Sequence, residues 1–282
     1  MTAADAVEQL TARLSVPFIE SPQTEARLIM CHIMQWDSRS YILNKNSTIV
    51  QDIFDQAISM AEQRLVGRSL AAILGSQPFC EDTFAVNDDV LIPRPETELL
   101  VEHILANHSD SPINVLEIGV GSGIITISLA KHRPLWTFTA IDISEAAIRT
   151  ARQNADIILK NTHNCAINII HQDFFLYSTP ETFDIIVSNP PYIPSAETTR
   201  LLESKTISDP RIALDGGQDG LDFYRRILTF AETHLRPNGI IAVEHAFDQR
   251  QALSELAASS GYEYRCYQDY AGLDRYSEMK RL

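Results

Sequence analysis

Apolar positions in the first 75 residues recur at helical spacing, in Val7-Leu10-Leu14 and again in Ile53-Phe54-Ala57-Ile58-Ala61-Leu65. Ser21 followed by Pro22 reads as a cap with proline at the first helical position, opening a helix through about Met34. Gly67 and Gly75 punctuate the end. The pattern predicts a small helical bundle over residues 1–75 that positions the rest of the chain or a partner. Residues 79–86 turn strand-like around Glu81-Asp82, predicting a short hairpin. In V-L-I-P-R-P-E-T-E-L-L-V, Pro93 and Pro95 force an extended approach, after which residues 96–106 read as a helix. The stretch 76–95 therefore has two readings. It is a rigid linker, or it places Arg94 or Glu96 near the mouth of a pocket.

Beyond residue 96 strands and helices alternate. Buried strands are predicted at 113–118, 136–141, 166–170, 183–187 and 240–244, with two last strand-like pieces at 262–268 and about 275–280. Helices are predicted at 124–131, after Ser144, at 221–234 and at 249–259. The polar stretch 195–210 is expected to form a mobile flap. L-D-G-G-Q-D-G-L-D reads as a turn before a helix, and Pro237-Asn238-Gly239 as a turn into a strand. Alternation of this kind predicts a doubly wound, mostly parallel α/β sheet over residues 96–282, with a hairpin at one edge.

The chemistry concentrates where strands end. After residues 183–187 the chain reads Ser188-Asn189-Pro190-Pro191-Tyr192. Neither proline can donate to a ladder, and each holds the residue before it extended. An amide, a pinned carbonyl and an aromatic ring thus meet at the carboxyl end of a strand, the edge where open α/β sheets bind ligands. Such a loop suits a planar, weakly nucleophilic nitrogen held for methylation. Gly119-x-Gly121-x-Gly123, between a strand and a helix, allows backbone to approach a ligand closely. Dinucleotide and S-adenosylmethionine sites both use such a turn. Glu117, two residues before the first glycine, would repel a pyrophosphate but suits the ammonium of a methionyl group, which favours S-adenosylmethionine. Asp142 ends the next strand about 20 positions on, placed to accept ribose hydroxyls. Asp173 and Phe174 end the third; they could read and stack on an adenine, and Phe174 reads equally well as a core residue.

Bulk properties remove several other classes. Net charge is −14, from 23 basic and 37 acidic residues, with no long Lys/Arg cluster to track a phosphate backbone. No apolar run approaches membrane-spanning length, and the amino terminus lacks a basic leader with an apolar core, so a cytoplasmic protein is expected. The four cysteines form no C-x-x-C pair and the eight histidines no H-E-x-x-H, so no metal site is expected.

In order and spacing, I-P-R-P-E-T-E, E-x-G-x-G-S-G, N-P-P-Y-I and L-D-G-G-x-D-G-L-D-x-Y resemble the N5-glutamine methyltransferases of peptide chain release factors (HemK/PrmC type). The likeness covers roughly residues 65–282; the first 65 match in length and character. It implies a seven-stranded S-adenosylmethionine methyltransferase sheet behind a helical substrate-docking domain, in a monomer without a metal and without nucleic-acid or membrane partners. S-adenosylmethionine would lie over Gly119, Val120, Gly121, Ser122 and Gly123, with Glu117 and Asn189 beside it, Asp142 on its ribose and Asp173-Phe174 at its adenine. Asn189, Pro190, Pro191 and Tyr192 would hold the glutamine of the release factor's G-G-Q loop. Two positions depart from the family pattern: Glu244-His245-Ala246 replaces the E-H-G or E-I-G of many relatives, and Phe174 the tryptophan of some.

The alternative is a methyltransferase for the exocyclic amine of adenine or guanine in DNA or ribosomal RNA, since such enzymes use the same N-P-P-Y grip. A DNA enzyme must also flip its base and hold the duplex. The acidic balance and the lack of a basic recognition segment count against it.

Overall fold

A computed structural model of the chain describes residues 1–162, 165–204 and 207–282. It divides into two compact units, Met1–Ser76 with Leu201–Ser208, and Gln77–Arg200 with Asp209–Leu282.

The first unit holds helices α1 (Ala3–Leu14), α2 (Pro22–Met34), α3 (Ser38–Asn44), α4 (Gln51–Leu65) and α5 (Leu70–Leu74). Its core is built from positions three and four apart, such as Ala3, Ala6, Val7, Leu10 and Leu14 on α1 and Phe54, Ala57 and Ala61 on α4. A reciprocal pair between Thr2 and Asp5 caps α1. Pro22 does occupy the start of α2, but the Ser21 side chain makes no capping bond: its backbone, at ψ 63°, leaves the extended region that capping uses. Arg64 on α4 pairs with Glu25 on α2 at 2.8 Å, with both side chains mostly buried.

The second unit opens with the expected hairpin, β1 (Ser76–Phe79) and β2 (Asp82–Ala85), followed by α6 (Pro95–Asn107). Then come β3 (Asn114–Ile118), α7 (Ile124–His132), β4 (Thr137–Asp142), α8 (Glu145–Ile158), β5 (Ala166–His171) and β6 (Phe183–Ser188). The remainder is α9 (Ser195–Glu203), α10 (Asp222–His234), β7 (Leu235–Glu244), α11 (Arg250–Ser259), β8 (Tyr262–Gln268) and β9 (Asp274–Arg281). Seven strands form one sheet in the order β5-β4-β3-β6-β7-β9-β8, with β9 antiparallel to both neighbours and the others parallel. The sheet is buried on both faces. Leu116, Ile118 and Ile186 pack toward Tyr224 and Ile227 of α10, while Val115, Ile185 and Val187 pack toward Leu100 of α6 and Ile127 of α7.

Two stretches expected as a flap and a turn carry regular structure. The stretch 195–210 carries helix α9, begun by Glu197 and Thr198 amides returning to the Pro194 carbonyl; residues 205 and 206 lie outside the described residues. The expected turn at Pro237-Asn238-Gly239 lies inside β7, where Asn238 takes φ 66° and the pairing register with β6 shifts. Leu235 pairs with Phe183 and Ile240 with Ile185, so three extra residues of β7 loop out there as the local turn signal implies, and the strand assignment continues through them.

The L-D-G-G-Q-D-G turn braces the loop after β6. Ile193 N–H donates to the Leu214 carbonyl at 3.0 Å, and Gly216 N–H returns to the Ile193 carbonyl at 2.8 Å. A Cβ on Gly220 would sit 2.3 Å from the Tyr192 carbonyl oxygen, and Gly220 has φ +76°. Only glycine fits both conditions. Gln249 completes the brace, its amide donating to the carbonyls of Tyr192 and Gly220 at 3.0 and 3.3 Å. Among the described residues no helix is long and apolar enough to cross a membrane. Gly220→Ala is expected to destabilise the protein by about 1–3 kcal/mol in denaturant unfolding; an unchanged midpoint would contradict this packing.

Candidate active site

From β3 the chain runs outward through β4 and β5, then returns to the far side of β3 as β6. Strand order reverses between these two central strands, and their carboxyl ends frame a crevice. Register sets both loops level, because Ile118 lies opposite Ser188 and the glycine turn and Asn189 follow directly. The Ser188 hydroxyl donates to the Ile118 carbonyl at 2.7 Å and ties the two strand ends together.

A cavity of ≈ 560 Å³ opens there. Of the expected residues, Glu117, Gly119, Val120, Gly121, Ser122, Asp142, Asp173, Phe174, Asn189 and Pro191 line it. Three do not. Gly123 is the left-handed cap of α7, Pro190 is buried, and Tyr192 packs half-buried against the α10 side of the core. Burial raises the Tyr192 phenol to about 12, so it stays neutral.

The glycine turn presents bare backbone. Gly119 and Gly121 have φ of 75° and 53°, and a Cβ on either would meet no atom within 4 Å, so both border open space. Gly121 N–H donates to Asp142 Oδ2 at 2.9 Å and Ser144 N–H to Oδ1 at 2.8 Å, fixing the carboxyl at the cavity wall. Burial raises the Asp142 pKa, and these amides oppose the rise. Glu117 is fully buried on β3, and its Oε2 accepts Thr126 N–H at 2.9 Å. Desolvation lifts its pKa to about 8.

Asp173 caps a short 3-10 turn by accepting Phe175 N–H at 2.8 Å. Phe174 behind it is buried, edge-on to Phe230 with the Arg226 guanidinium 5.3 Å from its ring, so it is a core residue that also borders the cavity. The sequence reading missed its neighbour Phe175, which is 45% exposed, lines the cavity and meets Phe223 edge-on at 5.2 Å. No local pattern separates two adjacent phenylalanines; the 3-10 turn turns one inward and the other outward.

Asn189 is held from one end only. Its Nδ2 donates to Thr97 Oγ1 at 3.2 Å, and Thr97 Oγ1 donates to Glu244 Oε2 at 2.6 Å. Asn189 Oδ1 is buried and has no hydrogen-bond partner among the described residues. Burial raises the Glu244 pKa to about 7. Neither Arg94 nor Glu96 lines the cavity. Arg94 pairs with the buried Asp209 at 2.7 Å, and Ile92 N–H takes the other oxygen of that carboxylate at 2.9 Å. Asp209 thereby anchors the start of a segment whose Arg211, Ile212 and Ala213 line the cavity. The same carboxylate joins the I-P-R-P stretch to that segment, a link with no counterpart in local sequence.

Comparison with known proteins agrees with this architecture. The family described as "Methyltransferase small domain" matches residues 95–219, and "PrmC N-terminal domain" matches residues 5–75. A release factor glutamine methyltransferase from Moorella thermoacetica is 36% identical, covering 98% of this chain and 97% of its own length. Another from Geobacter sulfurreducens is 34% identical over 91% and 89%. A crystal structure of a methyltransferase from Pyrococcus furiosus shares the fold with TM-score 0.52 at 21% identity, covering 79% of this chain and all but 1% of that one, which the alignment covers to 99%.

The two buried carboxyls have a measurable consequence. A carboxyl whose folded pKa lies above its unfolded value, about 4.3, favours folding while protonated. That contribution is complete below the unfolded pKa and is lost as pH rises through about 7 for Glu244 and about 8 for Glu117. Glu117→Gln keeps an acceptor for Thr126 N–H without the ionisation. Its melting temperature relative to wild type, without ligand, is expected to climb steadily from pH 5 to pH 8.5; a constant difference would contradict the raised pKa.

Proposed function

This chain belongs to the release factor glutamine methyltransferase family, and we propose that it methylates the side-chain amide nitrogen of the glutamine in the release factor's G-G-Q loop, in the cytoplasm, with S-adenosylmethionine as methyl donor. One observation carries the reading of the site as a grip on an N–H group. A buried amide oxygen without a partner among the described residues, Oδ1, belongs to Asn189, which lines the cavity beside a bare glycine turn. Leaving such an acceptor unsatisfied costs roughly 1–3 kcal/mol, so the site is built to receive an N–H.

The residues present fit the donor. Space left open at Gly119 and Gly121 admits it against the backbone, Glu117 suits its ammonium, Asp142 its ribose, and Asp173 with Phe174 and Phe175 its adenine. When bound, S-adenosylmethionine supplies an electrophilic methyl group on a sulfonium sulfur. The acceptor is the harder half of the reaction. A carboxamide nitrogen shares its lone pair with the carbonyl and is a poor nucleophile. Asn189 Oδ1 takes one of its N–H groups and the Pro190 carbonyl the other, which orients the nitrogen and draws electron density onto it. The buried Pro190 and Pro191 keep that carbonyl and the loop fixed. Alignment and electrostatic placement supply the rate, and the nitrogen's proton leaves once the new N–C bond has formed.

The deciding assay offers labelled S-adenosylmethionine with a release factor, the same factor with its G-G-Q glutamine replaced, and duplex DNA with ribosomal RNA. Label is expected on the intact factor alone; label on nucleic acid alone would overturn the substrate assignment. Asn189→Ala and Asp142→Ala then separate the two halves of the site. The first is expected to lower turnover at least about 100-fold with S-adenosylmethionine affinity nearly intact. The second is expected to weaken that affinity about tenfold by calorimetry, one lost pair of charged hydrogen bonds. Equal effects of both variants on affinity would dissolve the distinction.

A further inference from the structure

The orientation of the Asn189 amide is not set by Asn189. A terminal amide is nearly symmetric in shape, and its rotation about χ2 has two broad wells, so either the oxygen or the NH2 could face the cavity. What distinguishes them is the partner behind. Thr97, wholly buried near the start of α6, has one hydroxyl proton, and it points to Glu244 Oε2 at 2.6 Å. An ionised carboxylate only accepts, so this proton has one place to go. The lone pairs of Thr97 Oγ1 are left for Asn189, and they accept its Nδ2 at 3.2 Å. The amide oxygen is thereby turned away from Thr97 and stands without a partner among the described residues.

We infer that Thr97 and Glu244 are positioning residues that fix which end of the Asn189 amide meets the acceptor nitrogen. The inference rests on the proposed role of Asn189. With the chain intact, the acceptor's N–H meets an oxygen. With the amide reversed, NH2 would face N–H, two donors opposed, and the nitrogen would lose its orientation. The three residues come from α6, the loop after β6 and the end of β7, so the fold spends three separate elements on one amide. Thr97 has an alternative of the same shape that lacks only the hydroxyl, valine, and Glu244 has a neutral one, glutamine, which makes both residues testable.

Glu244 adds a dependence on pH. Around it stand Glu96 on α6, Tyr192 after β6, Tyr224 on α10 and Arg275 on β9. Burial raises its pKa, the Thr97 hydroxyl and Arg275 lower it, Glu96 raises it again and the Asn189 amide lowers it, and the balance stands at about 7. Once Glu244 is protonated it can donate, and the direction of the Thr97 hydroxyl is no longer forced. The carboxylate form is the ordered one, so turnover declines as pH falls through about 7.

The test compares Thr97→Val, Thr97→Ser and Glu244→Gln with wild type on an intact release factor, with melting temperature and S-adenosylmethionine affinity measured alongside. Thr97→Val keeps the volume and removes the hydroxyl; kcat is expected to fall at least about tenfold with affinity for S-adenosylmethionine unchanged. Thr97→Ser restores the hydroxyl and is expected to recover most of the loss. Glu244→Gln cannot take up the proton and is expected to abolish the decline of kcat below pH 7. Wild-type kcat in Thr97→Val, or a Thr97→Ser as impaired as Thr97→Val, would overturn the inference, as would an unaltered acid limb in Glu244→Gln. Failure of the wild-type protein to label the factor would instead count against the proposed function, so the two failures are distinct.

Discussion

Parallel pairing of β3 with β6 is the constraint on which the rest of the molecule depends. Ile118 opposite Ser188 puts the glycine turn and Asn189 at one level on one edge of the sheet. A slip of one residue would exchange the faces of every side chain on β6 and carry Asn189 away from the cavity. The register is guarded from within by the Ser188 hydroxyl on the Ile118 carbonyl and from both faces by close-packed helices. A methyl donor and an acceptor amide need fixed relative positions, and the centre of a parallel sheet packed on both faces is a stiff place to hold them.

That stiffness is used to keep polar groups in unfavourable places. Glu117 and Glu244 are both buried in the sheet, with their pKa values raised by desolvation. Thr126 N–H donates to Glu117 and the Thr97 hydroxyl to Glu244. Asn189 Oδ1 has no donor among the described residues. A core chosen for stability alone would exclude all three groups. Their concentration at one sheet edge marks the place where folding energy is given up for binding and chemistry.

The loops on that edge are held by backbone rather than by bulky side chains. Gly220 lies against the Tyr192 carbonyl, Gln249 bridges both, and Gly216 N–H donates to the Ile193 carbonyl. Asp209 performs the same service on the other side, binding Ile92 N–H and Arg94 together. The prolines of the Asn189 loop limit its own freedom, and its neighbours remove what remains.

Much of this was legible in the sequence. The β-branched run before Asn189, the glycine turn after Glu117 and the acidic end of the following strand are local signals, and each sits where its strand-end position implied. They are legible because strand burial, turn geometry and proline restriction act over a few residues. Long-range pairings were not. Thr97, Asn189 and Glu244 are separated by about 50 residues or more, and nothing in the composition of either neighbourhood says that they touch. Phe174 and Phe175 divide between core and cavity, and Tyr192 turns to the core rather than to the site, by rotations that only packing selects. The sequence determined the elements and the chemical groups at their ends. The tertiary structure decided which of those groups meet, because contact between distant segments is set by sheet order and helix packing, and those are properties of the whole chain.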